Sequence, residues 1–308
     1  MPSDTPSLTI AAPRNFHAAL LALVSTAILS FVDNFVQPVS QEAGLWQFHV
    51  FRTLIAVPLL LIWATVFGFN FRPRTPRFLI LRSVTVGIGL MIYFASLGVL
   101  PVAQAGAGIF SAPIWVLLFS ALIFANRITF FQFLAVVCGF AGVLMLLQPD
   151  LANLTALSFL PLAAGAFYAL GTLITRHLCG AENALTLTLG IFTTMGAASA
   201  VILLCVTLWP NESQGFVTRG WETPTARFLY LTLIQAVGAM IAVSCIAQAY
   251  RIGTPSFIAV FEYSFLVFAS LWSYLLWGTT TNTLALAGIA VIFASAITLS
   301  LMKRAEVP

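Results

Sequence analysis

The sequence predicts an all-α membrane protein with ten transmembrane helices, and three observations lead to that prediction. Of the 308 residues, 60% are hydrophobic and only 7% are charged, with a mean hydropathy of +1.02. A soluble domain carries about 25% charged residues, so this chain cannot cover a surface that faces water. Apolar runs of about twenty residues, the length of a bilayer-spanning helix, recur along the whole chain. Most connections between the runs are short, so consecutive helices should be antiparallel neighbours.

The predicted spans begin after a polar tail, residues 1–15. The first apolar run is too long for the 7–15-residue core of a signal peptide, so we expect it to be retained as a helix. The longest connection, residues 209–226, contains several helix breakers, and a second short tail covers residues 303–308. The predicted spans are Phe16–Val36, Leu45–Phe67, Phe78–Leu97, Pro101–Phe124, Thr129–Leu147, Leu157–Thr175, Ala184–Leu208, Arg227–Tyr250, Thr254–Trp277 and Thr283–Met302.

Lysine and arginine are distributed unequally between the two sides of these spans. If the N-terminus is cytoplasmic, the outside receives Arg219 and Arg227, Arg52 lies within a span, and the rest of the 13 lie inside. Cytoplasmic loops carry an excess of these residues, so we expect both termini in the cytoplasm. The residues assigned to the inside are Arg14, Arg72, Arg74, Arg77, Arg82, Arg127, Arg176, Arg251, Lys303 and Arg304.

The second half of the chain weakly resembles the first. Gly98–Val102, before the fourth span, is similar to Tyr250–Pro255, before the ninth. Because five is an odd number, a tandem duplication of five helices turns the second copy upside down. Inverted repeats with a site between them near the midplane recur in secondary transporters. We therefore expect two repeats, residues 16–147 and 157–302.

Glu262 lies inside the ninth apolar run, about eight residues from its cytoplasmic end, or about 12 Å along a helix. A charge in the bilayer core is expensive, so an ionisable residue there indicates function. We expect Glu262 to anchor a substrate amine or to couple transport to protons. The alternative is a structural carboxylate that accepts hydrogen bonds from neighbouring polar side chains. The first half has Ala112-Pro113 at the corresponding place.

Asp33 and Arg52 lie at similar depths below the outer ends of the first two spans, which a short loop joins. Each charge would be costly alone in a low-dielectric bundle, so we predict an Asp33–Arg52 ion pair. The pair serves either as an outer gate and substrate anchor or as a structural link between two helices. His49 lies one turn from Arg52 on the same helix face. It either joins that network, exchanges protons or sits at the membrane interface.

Polar aromatic and amide side chains inside the spans form a second set of candidates. A buried Tyr or Trp needs a partner for its polar group, and intramembrane Gln side chains usually link helices by hydrogen bonds. Both kinds of side chain can also line a substrate pocket. This set comprises Tyr93, Gln104, Trp115, Tyr168, Gln235 and Tyr263.

Over nearly its whole length the chain resembles the drug/metabolite transporter superfamily, EamA type. Five motifs carry the resemblance: Ser30–Asp33 in the first span, Phe48–Arg52 in the second, Arg77–Arg82 at the start of the third, Ala112-Pro113 in the fourth and Phe261–Tyr263 in the ninth. The resemblance is nearest to a branch that includes S-adenosylmethionine carriers. It implies two five-helix repeats and a transport function.

The chain also departs from the family pattern at three positions. Gln37 stands where the family has a basic residue, and Asn126 and Thr279 stand where it has acidic ones. The last two departures count against an acidic gate on the cytoplasmic side.

The sequence contains no P-loop, His/Cys metal cluster or nucleophile elbow. The four cysteines are scattered singly, which indicates neither a disulfide nor a metal site. We therefore expect no cofactor, no metal, no nucleic-acid partner and no nucleotide-driven pump. An intramembrane enzyme would need a nucleophile and a base at one depth, and none stands out.

These observations predict a bacterial inner-membrane secondary transporter that moves a small polar or zwitterionic metabolite by alternating access. The alternatives are uptake of an S-adenosylmethionine-type nucleoside metabolite and a non-catalytic channel. The expected partners are the substrate, the lipid bilayer and protons. Ten helices can enclose a site by themselves, so the sequence leaves both a monomer and a homodimer open.

Overall fold

The computed structural model describes residues 14–97, 100, 102–210, 215–278 and 280–305, without the side chains of residues 102–104, 277 and 299–305. Residues 1–13 and 306–308 of the two predicted tails lie outside this part, as do Thr279 and the side chains of Lys303 and Arg304. The described residues are helical and contain no β-strand. The helices are α1 (Asn15–Asp33), α2 (Val36–Glu42), α3 (Leu45–Phe67), α4 (Pro76–Ser96), α5 (Val102–Ile109), α6 (Ala112–Leu122), α7 (Phe130–Leu147), α8 (Leu160–Leu178), α9 (Ala184–Leu208), α10 (Ala226–Ile252), α11 (Pro255–Glu262), α12 (Ser264–Trp277) and α13 (Thr283–Ala305), with a 3-10 turn at Ala156–Phe159.

Nine helical stretches within the described residues are long and apolar enough to cross a membrane, and they coincide with the first nine predicted spans. The tenth predicted span corresponds to α13, whose apolar part, Thr283–Thr298, is shorter. The prediction of an all-α membrane protein is therefore confirmed.

Three of the nine apolar stretches consist of two helices each: α1 and α2, α5 and α6, and α11 and α12. The first stretch continues to Glu42, beyond the predicted end at Val36. Pro113 cannot donate a backbone hydrogen bond to the preceding turn, and the nearby Ser111 hydroxyl donates to the carbonyl of Gly108 at 2.6 Å. In the ninth span the hydroxyl of Ser264 donates to the carbonyl of Phe261 at the same distance. The fourth and ninth spans are therefore interrupted at similar places, and a serine next to each interruption donates to the carbonyl three residues before it.

Several helix ends follow local sequence signals. Thr129 caps α7 in a capping box with Gln132, and the side chain of Thr225 accepts a hydrogen bond from the backbone N–H of Phe228 at the start of α10. Gly68 and Gly278 end α3 and α12 in the left-handed conformation, with φ of 68° and 66°. A side chain with a Cβ is strained there, which is why glycine ends these helices.

The helices pair in a pattern that relates the two halves. α1 packs against α10 and α12, while α8 packs against α4 and α6. α3 contacts α9 and α10, and α9 also contacts α4, while α7 packs against α13. Exchanging each span for the one five places along the chain leaves this set of contacts unchanged.

The contact between α7 and α13 depends on two glycines. A Cβ added to Gly142 would lie 2.8 Å from the carbonyl oxygen of Gly288, and a Cβ added to Gly288 would lie 2.6 Å from that of Gly142. Small residues of this kind let two membrane helices approach closely and pack without a gap.

Candidate functional site

A cavity of about 160 Å³ lies inside the bundle, with walls from both halves of the chain. It is lined by two carboxylates, Asp33 and Glu262, and by two guanidinium groups, Arg52 and Arg82. The structure brings together five of the candidates from the sequence here: Asp33, Arg52, Tyr93, Tyr168 and Glu262. The other lining residues are Ser25, Thr26, Leu29, Val86, Leu90, Phe94, Ile109, Phe110, Ala112, Pro113, Thr172, Thr175, Ile191, Val243, Ile246, Ala247, Tyr250 and Phe265.

Glu262 is the last residue of α11, so it faces the cavity from the interruption between α11 and α12. Its Oε1 accepts a hydrogen bond of 2.5 Å from the hydroxyl of Tyr168 on α8. Its Oε2 accepts a hydrogen bond from the hydroxyl of Tyr250 on α10. The hydrogen bonds expected of a structural carboxylate are therefore present, on a side chain that also borders the cavity.

Asp33 and Arg52 face the same cavity without forming the predicted ion pair. Among the described residues, the ion pair with an N–O distance under 4.0 Å is Arg227–Glu42, at 3.3 Å. The prediction assumed that the first span is one straight helix. In fact α1 ends at Asp33 and a turn separates it from α2, so depth along a single straight helix does not describe the position of this carboxylate.

The two charged groups have other contacts instead. The Oδ1 of Asp33 accepts a hydrogen bond from Nε2 of Gln235 at 3.5 Å. Gln235, another candidate from the sequence, therefore contacts a cavity residue without lining the cavity itself. The guanidinium carbon of Arg52 lies 5.1 Å from the ring centroid of Phe192, within the range of a cation–π contact. The Nε of Arg52 and the Oε1 of Gln235 are buried and have no hydrogen-bond partner in the described part of the chain.

Arg82 is a cavity residue that the sequence analysis did not find. We assigned it to the cytoplasmic loops, but it is buried in α4, with 4% of its surface exposed. Its Nε donates to the hydroxyl of Thr175 at 2.9 Å and its Nη1 to the carbonyl of Leu187 at 2.7 Å. A signal existed, because Arg82 lies four residues inside the predicted third span, which begins at Phe78.

His49 does not line the cavity. Its ring is 1% exposed and packs between Phe48 and the edge of Phe94, with centroids 4.9 Å apart for the second pair. The alternative that placed His49 at the membrane interface is therefore wrong, because the imidazole is enclosed by protein.

Two other candidates lie away from the cavity, and the side chain of a third is outside the described part of the chain. The indole N–H of Trp115 donates to the hydroxyl of Ser111 at 3.2 Å, within a cluster of apolar side chains. Tyr263 is fully buried, and its hydroxyl donates to the carbonyl of Val136 on α7 at 3.4 Å. The side chain of Gln104 lies outside the described residues.

Hydrogen bonds join the two halves of the chain at each end of the bundle. At one end, Nε2 of Gln47 donates to the carbonyl of Glu222 at 2.7 Å, and the backbone N–H of Glu222 donates back to Oε1 of Gln47 at 2.8 Å. At the other end, Oε1 of Glu182 accepts hydrogen bonds from the backbone N–H and the hydroxyl of Thr75, at 2.5 and 2.8 Å. We call these two sets of hydrogen bonds the closures of the bundle, and the cavity lies between them.

The cavity suits a molecule that carries charges of both signs. Carboxylates bind amines and other cations, and guanidinium groups bind carboxylates in a fixed planar geometry. Within the described residues there is no group of three or more His, Cys, Asp or Glu side chains that could hold a metal ion. The recognition available here therefore comes from side-chain charges, phenols and aromatic faces.

Both the sequence and the fold of this chain resemble known proteins. The model of the EamA-like transporter family matches residues 17–148 and 155–301. A solved crystal structure superimposes on this one with a TM-score of 0.76 at 16% sequence identity, covering 93% of this chain and 98% of the solved chain. That likeness shows a shared fold.

Several characterised transporters are similar to this chain over most of their length. The pseudopaline exporter of Pseudomonas aeruginosa is 22% identical over 286 residues, which cover 92% of this chain and 96% of the exporter. The riboflavin transporter of Vibrio cholerae is 24% identical, with 91% of each chain covered. The S-adenosylmethionine uptake transporter of Rickettsia prowazekii is 21% identical, with 90% of this chain and 89% of the transporter covered.

Proposed function

Because the chain belongs to the EamA-like transporter family, we propose that it is a secondary transporter that carries a small polar or zwitterionic metabolite by alternating access. Family membership confirms the prediction of a multi-pass membrane transporter rather than an enzyme. The single observation that carries the finer proposal is the cavity in which Asp33 and Glu262 oppose Arg52 and Arg82 in charge. Two negative and two positive groups balance, so a substrate with no net charge but with groups of both signs is the best match.

The roles of the four charged residues follow from their contacts. Glu262 binds the amine or another cationic group of the substrate, because the two phenols hold its carboxylate in a fixed orientation. Arg52 binds the carboxylate, because its Nε is buried and lacks a protein partner among the described residues. Arg82 adds positive charge to the same wall, and Asp33 holds the substrate from the end of α1.

Alternating access requires two halves that can rock about the site. The exchange-symmetric packing of the helices supports two inverted five-helix repeats, residues 16–147 and 157–302. The interrupted fourth and ninth spans support the same arrangement, because broken helices in corresponding positions often mark a transporter's binding site. Residues of both halves of the chain line the cavity, so a monomer can serve as the transport unit. A homodimer would then contain two such units.

The orientation that we propose places both termini in the cytoplasm of a bacterial inner membrane, because the arginines of the α3–α4 connection lie on the side of the N-terminus. A cysteine introduced at Gly215 should then react with a membrane-impermeant reagent added to intact cells, whereas one at Asn70 should be protected. Reversed reactivity of the two positions would contradict this orientation.

Protons are the coupling ion that the geometry favours. A substrate cation and a proton both bind a carboxylate, so they compete for Glu262. Protonation also turns one carboxylate oxygen into a donor, so one tyrosine hydroxyl has to turn and accept instead of donating. The contact then loses its charge assistance, which loosens the joint between α8, α10 and α11. In proteoliposomes, an imposed pH gradient should therefore accelerate transport. An unchanged rate would exclude proton coupling.

Uptake of an S-adenosylmethionine-type nucleoside metabolite is the second candidate. A transporter of S-adenosylmethionine is among the similar proteins, and aromatic side chains in the cavity wall, including Tyr93, Phe94 and Phe110, could stack on a base. The other similar proteins export pseudopaline and transport riboflavin, so the direction of transport is to be measured as well.

A screen and a counterflow assay test the proposed function. Amino acids, S-adenosylmethionine, polyamines and quaternary amines are first compared for thermal stabilisation of the purified protein. A stabilising compound is then tested in proteoliposomes, where an internal pool should accelerate entry of the labelled compound if the protein is a carrier. Conduction without saturation or trans-stimulation would identify a channel instead.

A further inference from the structure

A second pocket, of about 470 Å³, lies at the end of the bundle where Glu182 meets Thr75, and it shares no lining residue with the central cavity. Its walls come from the start of α1, the α3–α4 connection, the α8–α9 connection and the ends of α8 and α10. Its distinguishing feature is a concentration of guanidinium groups. The arginines that line it are Arg14, Arg72, Arg74, Arg176 and Arg251.

Hydrogen bonds between these segments fix the shape of the pocket. The backbone N–H of Arg14 donates to the carbonyl of Ile252 at 2.9 Å. The Nη1 of Arg251 donates to the carbonyl of Glu182 at 2.7 Å, and the Nη1 of Arg176 donates to the carbonyl of Arg251 at 2.8 Å. Two of the guanidiniums are therefore positioned by the fold rather than carried on free loops.

Among the described residues that line the pocket, the one carboxylate is the buried Glu182, whose Oε1 accepts two hydrogen bonds from Thr75. Burial raises the pKa of the neighbouring Cys179 thiol to about 11, so this group stays neutral. Within the described residues, four of the arginines have no carboxylate within 4.0 Å. These are Arg14, Arg72, Arg74 and Arg251.

Ionic screening weakens the repulsion between charges across a space of this size but does not abolish it. A sphere of that volume is roughly 10 Å across, close to the Debye length of about 8 Å at physiological ionic strength. The guanidiniums therefore repel one another unless an anion lies between them. A phosphate group suits this surplus better than a carboxylate, because it carries more charge and offers several oxygens to the planar forks of different arginines.

We propose that this pocket binds a phosphate group, of a soluble anion or of an anionic lipid headgroup, at a site separate from the transport cavity. The bound group joins the α3–α4 connection in the first half to the ends of α8 and α10 in the second. Its occupancy therefore stabilises the closure of this end of the bundle.

Arg74 and Arg77 provide a matched pair of variants for the test. Both side chains are exposed and they lie three positions apart, but only Arg74 lines the pocket. Purified protein, Arg74→Gln and Arg77→Gln are titrated with pyrophosphate in neutral detergent at constant ionic strength, and the shift in melting temperature is recorded. A second arm measures retention of phosphatidylglycerol against phosphatidylcholine by native mass spectrometry.

For the unmodified protein we expect saturable stabilisation by pyrophosphate, selective retention of phosphatidylglycerol, or both. For Arg74→Gln we expect the same response with a roughly tenfold lower affinity. Arg77→Gln should bind as the unmodified protein does. A response in only one arm identifies the source of the phosphate. Equal weakening in both variants would reveal general electrostatic attraction and overturn the proposal, as would stabilisation no greater than that by chloride together with no lipid preference.

Discussion

Glu262 combines two properties at the level of a single residue. Both of its carboxylate oxygens accept hydrogen bonds from tyrosines on other helices, and the side chain still borders the cavity. A carboxylate that is held in this way is pre-oriented, so a cationic substrate does not have to order it on binding. The same contacts give it a structural role, and a substitution must therefore be read through more than one measurement.

Glu262→Gln should lower the transport efficiency, kcat/KM, by roughly tenfold to a hundredfold, the effect of losing a hydrogen bond to a charged group. The amide keeps the size of the side chain but removes its charge and its ability to bind a proton. Uptake into proteoliposomes across a range of pH measures both effects. Asp150→Asn, which removes a carboxylate from the exposed α7–α8 connection, serves as the control. Normal rates and pH dependence in Glu262→Gln would leave this carboxylate with a structural role alone.

Arg82→Lys should raise the KM for a substrate with a carboxylate roughly tenfold. Lysine keeps the charge, but its single ammonium group cannot reproduce the fork that binds Thr175 and Leu187 and still face the cavity. Arg77→Lys, on the exposed start of the same helix, should leave the KM unchanged. A loss of thermal stability in Arg82→Lys with no change in KM would assign Arg82 to the scaffold.

Individual residues were predictable where they stood alone in an apolar run. Glu262 and Asp33 are such residues, and both reach the cavity. Tyr250 and Arg82 were missed because each lies near a predicted span end, where a polar side chain has an ordinary explanation at the membrane surface. Only the packed structure shows that their helices carry them inward.

At the level of helices, interruptions shape the site more than helix lengths do. Hydropathy predicted where nine spans lie, because apolar length is a property of sequence alone. It did not predict the division of the fourth and ninth spans, because each run stays predominantly apolar across the point where one helix ends and the next begins. Glu262 lies at the break between α11 and α12 and borders the cavity, so this local feature coincides with the candidate site.

Gly142→Val should destabilise the protein by about 1–3 kcal/mol, the usual cost of overpacking a close contact. Its Cβ would lie 2.8 Å from the carbonyl oxygen of Gly288, and backbone atoms cannot move aside as a flexible side chain can. Unfolding in mixed micelles of detergent and sodium dodecyl sulfate measures the change. Gly180→Ala is the control, since its Cβ would meet its nearest neighbour at 3.6 Å. Equal stability of the two variants would show that α7 and α13 can separate freely.

At the level of the whole molecule, the scaffold is closer to symmetric than its chemistry. The contacts that pair α1 with α10 and α12, α3 with α9 and α10, and α7 with α13 are preserved when the halves are exchanged, although α9 also packs on α10 without a matching contact of α3 on α4 in the described part of the chain. The chemistry differs more, because Ala112-Pro113 stands where the second half has Glu262. The resemblance of the halves was visible in the sequence only weakly, because packing constrains size and shape at an interface rather than residue identity. The pairing of α1 with α10 and of α4 with α8 became apparent only in the folded chain.

Alternating access couples the two ends of the bundle, and Cys179 offers a natural reporter of that coupling. Its thiol is fully buried, and the carbonyl of Cys179 accepts a hydrogen bond of 3.0 Å from the backbone N–H of Glu182. Burial also raises the pKa of Cys179 to about 11, so the closed state contains little reactive thiolate. Opening of this end should expose the thiol and restore its reactivity.

In purified protein that keeps Cys179 alone, Glu182→Ala should raise the rate of labelling by a thiol reagent roughly fivefold, the effect of about 1 kcal/mol on the population of the open state. Gln47→Ala weakens the closure at the opposite end. If only one end opens at a time, this variant should favour opening there and slow the labelling of Cys179 by a similar factor. Local loosening around Glu182 would not produce that distant effect. Unchanged labelling in Gln47→Ala would therefore separate the two ends and count against a rocking mechanism.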